Sequence, residues 1–228
     1  MNELAQKLIE ELQCETVFTI PVLGGIPVSE AVVVTWIIMA VLVIAAFILT
    51  RNLKVDHISK RQAVAESIVT GLMNMVQGMV GEKGKAYVPY LTTVMLYIGV
   101  SNIIGLFGFK SPTKDLRVTV ALALMSIILI EAAGIYHKGV KRWLHGFVEP
   151  VAIVTPINIL EVVTKPLSLC MRLFGNVLGA FVIMELLKMI LPVGLPVVFS
   201  LYFDIFDGLL QAYVFVFLTS LYIDEITE

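Results

Sequence analysis

One arginine lies in a strongly apolar part of the chain. Arg172 belongs to the stretch KPLSLCMRLFGN, residues 165–176, and the stretch VLGAFVIMELL follows soon after it. A guanidinium stays charged at any accessible pH, and a charge at membrane depth is energetically costly. No acidic residue lies within one helical turn of Arg172, where a structural arginine would have its counter-ion. We therefore interpret Arg172 as a functional residue.

Other polar residues around this arginine follow a helical spacing. At about 100° per residue, Lys165, Arg172 and Asn176 all fall within about 60° of Glu161. One stripe of this predicted helix is therefore polar. Glu185 falls at about 240° on the same scale, far from that stripe.

A second group of polar residues lies near the C-terminus. Asp204, Asp207 and Gln211 share an arc of about 60° on another predicted helix. Ionisable groups at membrane depth usually face the protein interior or a water-filled cavity. Two polar stripes that face each other predict aqueous passages between these two helices.

Several of the other polar residues have simpler alternative roles. The long stems of Lys165 and Lys188 allow their ammonium groups to reach the membrane interface. Glu131 lies near a helix end, where an interfacial carboxylate and a channel residue are equally compatible with the pattern. Asp207 could be hydrated or pair with Lys188, and Asn102 could hydrogen-bond a neighbouring helix.

The sequence lacks the motifs of most other functional sites. The stretch GEKGK, residues 81–85, lacks the spacing and the Ser or Thr of a phosphate-binding loop. Cys14 and Cys170 predict neither a disulfide framework nor a metal site. The basic loops are ordinary inside-positive loops, so no nucleic-acid module is indicated and we expect no cofactor. Solvated side chains are the preferred interpretation of three histidines: His57, His137 and His145.

The composition determines which elements must position these residues. The chain has 228 residues, of which 58% are hydrophobic and 15% are charged. Its mean hydropathy is +0.93. Soluble domains have roughly 45–50% apolar and about 25% charged residues. The sequence therefore predicts a polytopic membrane protein, and its acidic start, MNELAQKLIEELQ, does not resemble a cleaved signal peptide.

Four segments have the length and hydropathy of a membrane span, which needs about 20 apolar residues. These predicted spans are Ala31–Leu49, Tyr87–Phe109, Val118–Tyr136 and Pro196–Ile223. Between the first two, the stretch AVAESIVTGLMNMVQGMVGEKGK predicts an amphipathic helix at the membrane interface.

The stretch Val151–Leu191 is too long for one upright span. As a single helix it would extend for roughly 60 Å, about twice the thickness of a bilayer core. Two short spans and one tilted helix both fit that length. We prefer one long, tilted helix with kinks at Pro156 or Pro166, because no polar turn divides the stretch.

The predicted fold is an all-α polytopic membrane protein with five membrane-crossing helices and one interfacial amphipathic helix. The last two crossing helices form a long, tilted hairpin, and the chain forms one membrane domain. Its predicted parts are an external N-terminal segment (1–29), a first span (30–50), a cytoplasmic or interfacial helix (51–86), a hairpin of two spans (87–136), a cytoplasmic loop (137–149), the ion-channel hairpin (150–223) and a cytoplasmic tail (224–228).

The distribution of basic residues predicts the orientation in the membrane. Basic residues concentrate after the first and the third spans, so both segments are predicted to be cytoplasmic. They are Arg51, Lys54, Lys60, Arg61, Lys83, Lys85, Lys138, Lys141 and Arg142. The N-terminus is then external and the C-terminal DEITE cytoplasmic. The loop KSPTKDLR, residues 110–117, argues weakly against this orientation because it is basic and yet external.

The stretch KPLSLCMRLFGN closely resembles the signature of the a subunit of rotary ATP synthases, the stator channel protein of their membrane sector. PINILEVVTKPLSL precedes the arginine as in that family, and PTKDLRVTVALAL (Pro112–Leu124) is similar to its external loop and the next span. FDIFDGLLQAYVFVFLTSLY resembles its final helix, with Gln211 at the matching glutamine. The resemblance extends from about Ser29 to Tyr222.

This resemblance implies a role for Arg172 and for its missing partner. Each c subunit of the rotor ring has a mid-membrane carboxylate, and Arg172 would face it and block direct ion passage between two offset half-channels. The implied partners are the c-subunit ring, the peripheral-stalk b subunits, the rest of the ATP synthase and membrane lipid. The implied location is the bacterial plasma membrane.

The resemblance also implies roles for residues around the arginine. Asn176, Asp204 and Gln211 match the external half-channel, and Glu161 with Asn158 would lie toward the cytoplasmic one. This chain has Phe181 where relatives often have Glu or His. Glu185, one turn further on, would restore an acidic group to the external passage.

Two other classes of protein also fit an intramembrane arginine. A self-contained secondary transporter could use Arg172 to bind an anionic substrate, although no internal repeat is visible. An intramembrane enzyme fits less well, because the sequence shows no nucleophile–base pair and no set of metal ligands. The stator subunit would itself be non-catalytic.

Overall fold

A computed structural model of the chain describes residues 16–20, 26–51, 59–107, 109, 111–146, 155–190 and 194–227. Some residues used in the sequence analysis lie outside this part of the chain: Cys14, Lys54, His57, Lys110 and the beginning of the predicted ion-channel hairpin at 150–154.

The described elements are two short strands followed by helices. In chain order they are β1 (Thr16–Ile20), β2 (Ile26–Ser29), α1 (Glu30–Thr50), α2 (Lys60–Met79), a 3-10 helix (Glu82–Tyr87), α3 (Val88–Ile103), two 3-10 helices (Ile104–Phe107 and Pro112–Lys114), α4 (Leu116–Lys138), α5 (Val140–Gly146), α6 (Thr155–Ile190), α7 (Leu195–Ser200), a π-helix (Leu201–Asp207) and α8 (Gly208–Thr227).

Five helical segments are long and apolar enough to cross a membrane. They are Glu30–Thr50, Gly84–Phe107, Leu116–Lys138, Thr155–Lys188 and Val198–Thr227. The prediction of an all-α polytopic membrane protein with five crossing helices is therefore confirmed. The segment at 60–79 is helical as predicted. The Ser59 hydroxyl caps its first turn by accepting a hydrogen bond from the Gln62 backbone N–H. Its position at the membrane interface stays a prediction.

The long stretch before the last span is a single helix. Helix α6 has 36 residues and continues through Pro166 without a break. At 1.5 Å per residue it is about 54 Å long, which exceeds a bilayer core of about 30 Å. The choice of one long helix over two short spans is confirmed. Its tilt in the membrane stays a prediction.

The structure adds three details to the predicted parts of the chain. The segment predicted to be external contains the short antiparallel pair β1–β2. The β-branched residues of TVFTI and the prolines and glycines that follow explain this hairpin. The predicted loop 137–149 contains the short helix α5. Helix α8 continues to Thr227, beyond the predicted tail boundary, because no Gly or Pro stops it after Ile223.

The π-helix at the start of the last span changes the predicted register. Residues 201–207 form hydrogen bonds with the wider spacing of a π-helix, and Asp204 and Asp207 belong to this segment. Each residue of such a segment turns through a smaller angle than in an α-helix. The common arc predicted for Asp204, Asp207 and Gln211 assumed uniform α-helical geometry. The spacing of 100° per residue therefore does not apply across the π-helical part of this span.

The core lies among α3, α4, α6 and α8. Helix α8 packs most extensively against α3, and α4 packs against both α6 and α8. The largest fully buried apolar side chains include Leu91, Ile98, Ile130, Leu173 and Phe215. Helix α1 differs, because most of its side chains are exposed and apolar, as expected of a helix that faces lipid.

Candidate functional site

Arg172 lies on the open side of α6. Leu169, Cys170 and Leu173 form the buried side of this helix, and the Cys170 sulfur lies 3.5 Å from the Thr119 hydroxyl of α4. Arg172 itself is exposed. Within the described residues, its guanidinium makes no ion pair or hydrogen bond with this chain. Arg172 therefore lacks a counter-ion both among its neighbours in sequence and among the described residues of the folded chain.

The surface around Arg172 leaves room for a closely packed neighbour. A Cβ atom added to Gly175 or to Gly179 would meet none of the described atoms of other residues within 4 Å. Apolar side chains extend along the exposed surface of α6 in both directions, and they include Leu160, Leu167, Met171 and Ile183. We call Arg172, Gly175, Gly179 and these four residues the open face of α6.

Asn176 and Gln211 connect α6 to α8 directly. The Asn176 side-chain nitrogen donates a hydrogen bond to the Gln211 side-chain oxygen at 2.6 Å. Gln211 is only 2% exposed, and its side-chain nitrogen is buried without a partner among the described residues. Two predicted site residues thus meet one helical turn beyond Arg172.

A cavity of about 340 Å³ lies beside this contact. It is lined by α3 and the 3-10 helix after it, the segment that precedes α4, α6, α7, the π-helix and the beginning of α8. Its polar lining residues are Asn102, Ser111, Lys114, Glu185, Lys188, Ser200, Asp204, Asp207 and Gln211. Three of the four residues assigned to the external half-channel, Glu185, Asp204 and Gln211, therefore share one cavity. The fourth, Asn176, contacts Gln211.

The acidic residues of the cavity have defined partners. Asp204 accepts a hydrogen bond of 2.8 Å from the Ser200 hydroxyl, one turn earlier. Glu185 forms a 2.6 Å ion pair with Lys188 on its own helix. The sequence left open a pairing of Lys188 with Asp207, and the contact that the structure shows for Lys188 is with Glu185. Asp207 also lines the cavity.

Phe181 also lines the cavity and contacts the ammonium group of a lysine side chain there. The Lys114 ammonium lies 4.1 Å from the centroid of the Phe181 ring. A lysine over an aromatic face at this distance makes a cation–π interaction. The position that departs from the family pattern thus contacts the basic loop KSPTKDLR, a contact that sequence reasoning missed.

Asn102 fixes one edge of the cavity. Its side-chain nitrogen donates to the Gly208 carbonyl at 3.0 Å, and its side-chain oxygen accepts from the Thr113 hydroxyl at 2.8 Å. The alternative role of Asn102, a hydrogen bond to a neighbouring helix, is therefore what the structure shows. Its two contacts join α3, the loop before α4 and the last span.

Glu161 and Asn158 lie near the beginning of α6 and do not line this cavity. Glu161 is exposed, and its carboxylate is 3.7 Å from the Lys165 ammonium. Lys165 also forms a 3.1 Å ion pair with Glu225 of α8. The structure separates the predicted site into two regions along α6, one on each side of Arg172.

No group of three or more His, Cys, Asp or Glu side chains that could hold a metal ion is present among the described residues. The cavity acids are instead close to lysine and serine side chains. Water, hydrogen-bonding side chains and carboxylates are the groups through which protons or small cations move in membrane proteins. The arrangement suits ion passage between helices.

Comparison with known proteins identifies the family. The family described as ATP synthase A chain matches residues 32–224. The ATP synthase subunit a of Moorella thermoacetica is 35% identical over 203 residues, which cover 88% of this chain and 92% of the relative. The sodium ion specific ATP synthase subunit a of Propionigenium modestum is 34% identical over 215 residues, which cover 87% and 74%. The ATP synthase subunit a 1 of Chlorobaculum parvum is 33% identical and covers 90% and 91%. These matches span nearly the whole chain, which therefore belongs to the ATP synthase A chain family.

Proposed function

We propose that this chain is the stator ion-channel subunit of a bacterial F-type ATP synthase. It is a non-catalytic subunit that carries ions through the membrane sector, so that ion flow is coupled to rotation and ATP synthesis. Family membership over residues 32–224 supports this proposal, and the three relatives above are all ATP synthase subunits. None of these relatives favours a self-contained transporter.

The observation that supports the mechanism most strongly is the environment of Arg172. Its guanidinium is exposed on the open face of α6 and makes no ion pair with the described residues. A cation next to a carboxylate favours the ionised form of that carboxylate. Arg172 therefore makes each passing c-subunit carboxylate give up its ion on one side and rebind an ion only on the other. Direct passage is blocked, and ion transfer requires rotation.

The cavity next to Gln211 is the external half-channel of this mechanism. Asp204, Gln211 and Glu185 line it, and Asn176 connects it to the level of Arg172. The cytoplasmic half-channel begins at the other end of α6, with Glu161 and Asn158. A monovalent ion that passes down the membrane potential through both half-channels releases about 2.3 kcal/mol of free energy per 100 mV.

The c-subunit ring packs against the open face of α6, where Gly175 and Gly179 leave space for a close helix contact. The peripheral-stalk b subunits contact the same membrane domain elsewhere. The protein lies in the bacterial plasma membrane with its N-terminus outside and its C-terminus in the cytoplasm. The basic residues after the first and third spans support this orientation.

Substitution of Arg172 by alanine tests this function directly. The Arg172→Ala complex should assemble normally in the membrane. Vesicles that contain it should lose ATP synthesis driven by an ion gradient. Arg117→Ala is the matched control, since Arg117 is an exposed arginine at the start of α4. Normal coupled synthesis in Arg172→Ala vesicles would refute the role of Arg172.

A further inference from the structure

Two polar bridges connect α6 to α8, and Arg172 lies between them. Asn176 binds Gln211 four residues after the arginine. Lys165 binds Glu225 seven residues before it, with 3.1 Å between the ammonium nitrogen and the carboxylate oxygen. Asn176 and Gln211 are both assigned to ion passage, whereas Lys165 and Glu225 are not.

The positions of these bridges agree with two antiparallel helices. Lys165 and Asn176 are about 16 Å apart along α6, and Gln211 and Glu225 are about 21 Å apart along α8. At about 100° per residue, the two bridging residues of each helix fall within about 40° of each other. Arg172 shares the stripe of Lys165 and Asn176.

Lys165 is held more firmly than a surface lysine. Its side chain is only 18% exposed, whereas that of Lys188 is 55% exposed. Besides Glu225, its ammonium contacts the Glu161 carboxylate at 3.7 Å and lies 5.2 Å from the Tyr222 ring centroid. Tyr222 and Glu225 are one turn apart on α8, so Lys165 contacts two successive turns of that helix.

Apolar packing alone does little to position α6 against α8. Both helices pack extensively against α4, whereas their direct contact with each other is small. Leu169 and Leu173 of α6 are buried, whereas Arg172 is exposed. Polar bridges therefore have a large share in fixing the spacing and rotation of α6 relative to α8. Glu225 is 56% exposed, so the contribution of this ion pair to overall stability is small.

We propose that Lys165 is a positioning residue for ion transfer. It binds Glu225 and Tyr222 and so holds the last turns of α8 against the helix that presents Arg172. Together with the Asn176–Gln211 bridge, it sets the direction in which Arg172 faces the rotor. The consequence for transport rests on the proposed function, but the bridge itself can be measured separately.

The first experiment measures the bridge without any ion transport. Spin labels attached to cysteines at Val163 and Leu221, both exposed, report the distance between α6 and α8 in the purified complex. Cys14→Ser and Cys170→Ala remove the native thiols from this background. We expect Lys165→Met to broaden or lengthen the distance distribution, and Lys165→Arg to preserve it. Lys141→Met, which changes an exposed lysine outside the hairpin, should also preserve it.

The second experiment measures coupling with a double-mutant cycle. We expect Lys165→Met and Glu225→Gln each to lower ATP-driven ion pumping about fivefold, the effect of roughly 1 kcal/mol, with ATP hydrolysis retained. The double variant should be no worse than the worse single variant. Exchange of the two charges, Lys165→Glu with Glu225→Lys, should recover at least half of the lost pumping.

These results distinguish a failure of this proposal from a failure of the proposed function. Unchanged distances together with no recovery in the charge exchange would overturn the role of Lys165. A changed distance with unchanged pumping would also overturn it, because the bridge would then be purely structural. If Arg172→Ala retained coupled synthesis, the proposed function would fail while the distance measurement still reported the bridge.

Discussion

The Asn176 side chain donates a 2.6 Å hydrogen bond to the Gln211 oxygen, across the interface between α6 and α8. Gln211 is almost fully buried, and its side-chain nitrogen already lacks a partner among the described residues. The contact therefore places a polar, incompletely satisfied amide one turn from Arg172 and at the wall of the cavity. A buried amide of this kind is well suited to exchange hydrogen bonds with water that enters the cavity.

Removal of the Asn176 amide should impair ion transfer more than assembly. In the Asn176→Leu variant, the Gln211 side-chain oxygen loses its hydrogen-bond donor. A buried polar group left unsatisfied costs about 1–3 kcal/mol. We expect passive ion flux through the head-depleted membrane sector, driven by a potassium diffusion potential, to fall by about tenfold, a change of about 1.4 kcal/mol.

Asn74→Leu is the matched control, because Asn74 is an exposed asparagine on α2, away from the cavity. It should leave the flux unchanged. If both leucine variants conduct like the parent, the Asn176–Gln211 bond has no part in ion transfer.

The two aspartates of the π-helix should differ in importance. Both line the cavity, but Asp204 is fixed by the Ser200 hydroxyl at 2.8 Å, and it is the aspartate that we assign to the external half-channel. We expect Asp204→Ala to slow ion flux more than Asp207→Ala, measured as the initial rate of ATP-driven uptake of the coupling ion, H+ or Na+, into vesicles. Equal rates in the two variants would remove Asp204 from the path.

Position 105 tests whether the orientation of Asp204 matters as well as its charge. A Cβ atom added to Gly105 would lie 3.1 Å from an Asp204 carboxylate oxygen, so that Gly105→Ala must displace this carboxylate slightly. We expect this single methyl group to lower the rate of ATP-driven ion uptake about threefold, the effect of roughly 0.7 kcal/mol.

Gly78→Ala is its control, since a Cβ atom there would contact nothing within 4 Å. A parental rate in Gly105→Ala, with Asp204→Ala inactive, would mean that Asp204 acts without a fixed orientation.

The main features of the fold could be predicted because membrane spans follow simple physical requirements. In lipid, every backbone polar group must be paired within the segment, so each long apolar run becomes a helix. The same reasoning chose one helix for residues 155–190. Arg172 was identified as functional because it is a permanent charge with no local counter-ion, a property visible in the sequence alone.

The missed features depend on contacts between distant parts of the chain. Nothing local to Lys114 indicates that its ammonium lies over Phe181, and the π-helix that contains Asp204 breaks the uniform 100° spacing on which the polar arc was predicted. The β1–β2 hairpin is short, and the adjacent span has a much stronger signal. Residues of the cavity therefore became recognisable as a group only in three dimensions.

Close packing at Gly208 should make this position sensitive to a methyl group. A Cβ atom there would lie 2.7 Å from the Cβ of Asn102, whose side chain also donates to the Gly208 carbonyl. We expect Gly208→Ala to separate α8 from α3 and to destabilise the membrane domain by about 1–3 kcal/mol.

The midpoint of thermal unfolding in detergent, followed by intrinsic fluorescence, measures this effect. Gly71→Ala, at a helical glycine with open space around it, should leave the midpoint unchanged or raise it slightly. An unchanged midpoint in Gly208→Ala would contradict the close α3–α8 contact.

The open face of α6 allows a test of where the rotor binds. A Cβ atom added to Gly175 would meet none of the described atoms within 4 Å. We therefore expect Gly175→Trp to leave the folding of the isolated subunit intact. A helix of the c ring that packs against Arg172 would collide with the indole ring, because helix contacts at membrane depth depend on small residues. We therefore expect Gly175→Trp to abolish coupled ATP synthesis and to reduce copurification of the ring.

Gly146→Trp, at an open position on α5, should retain both. If Gly175→Trp vesicles synthesised ATP at the parental rate, the ring would have to contact another surface, and Arg172 would lose the external partner that its exposed position requires.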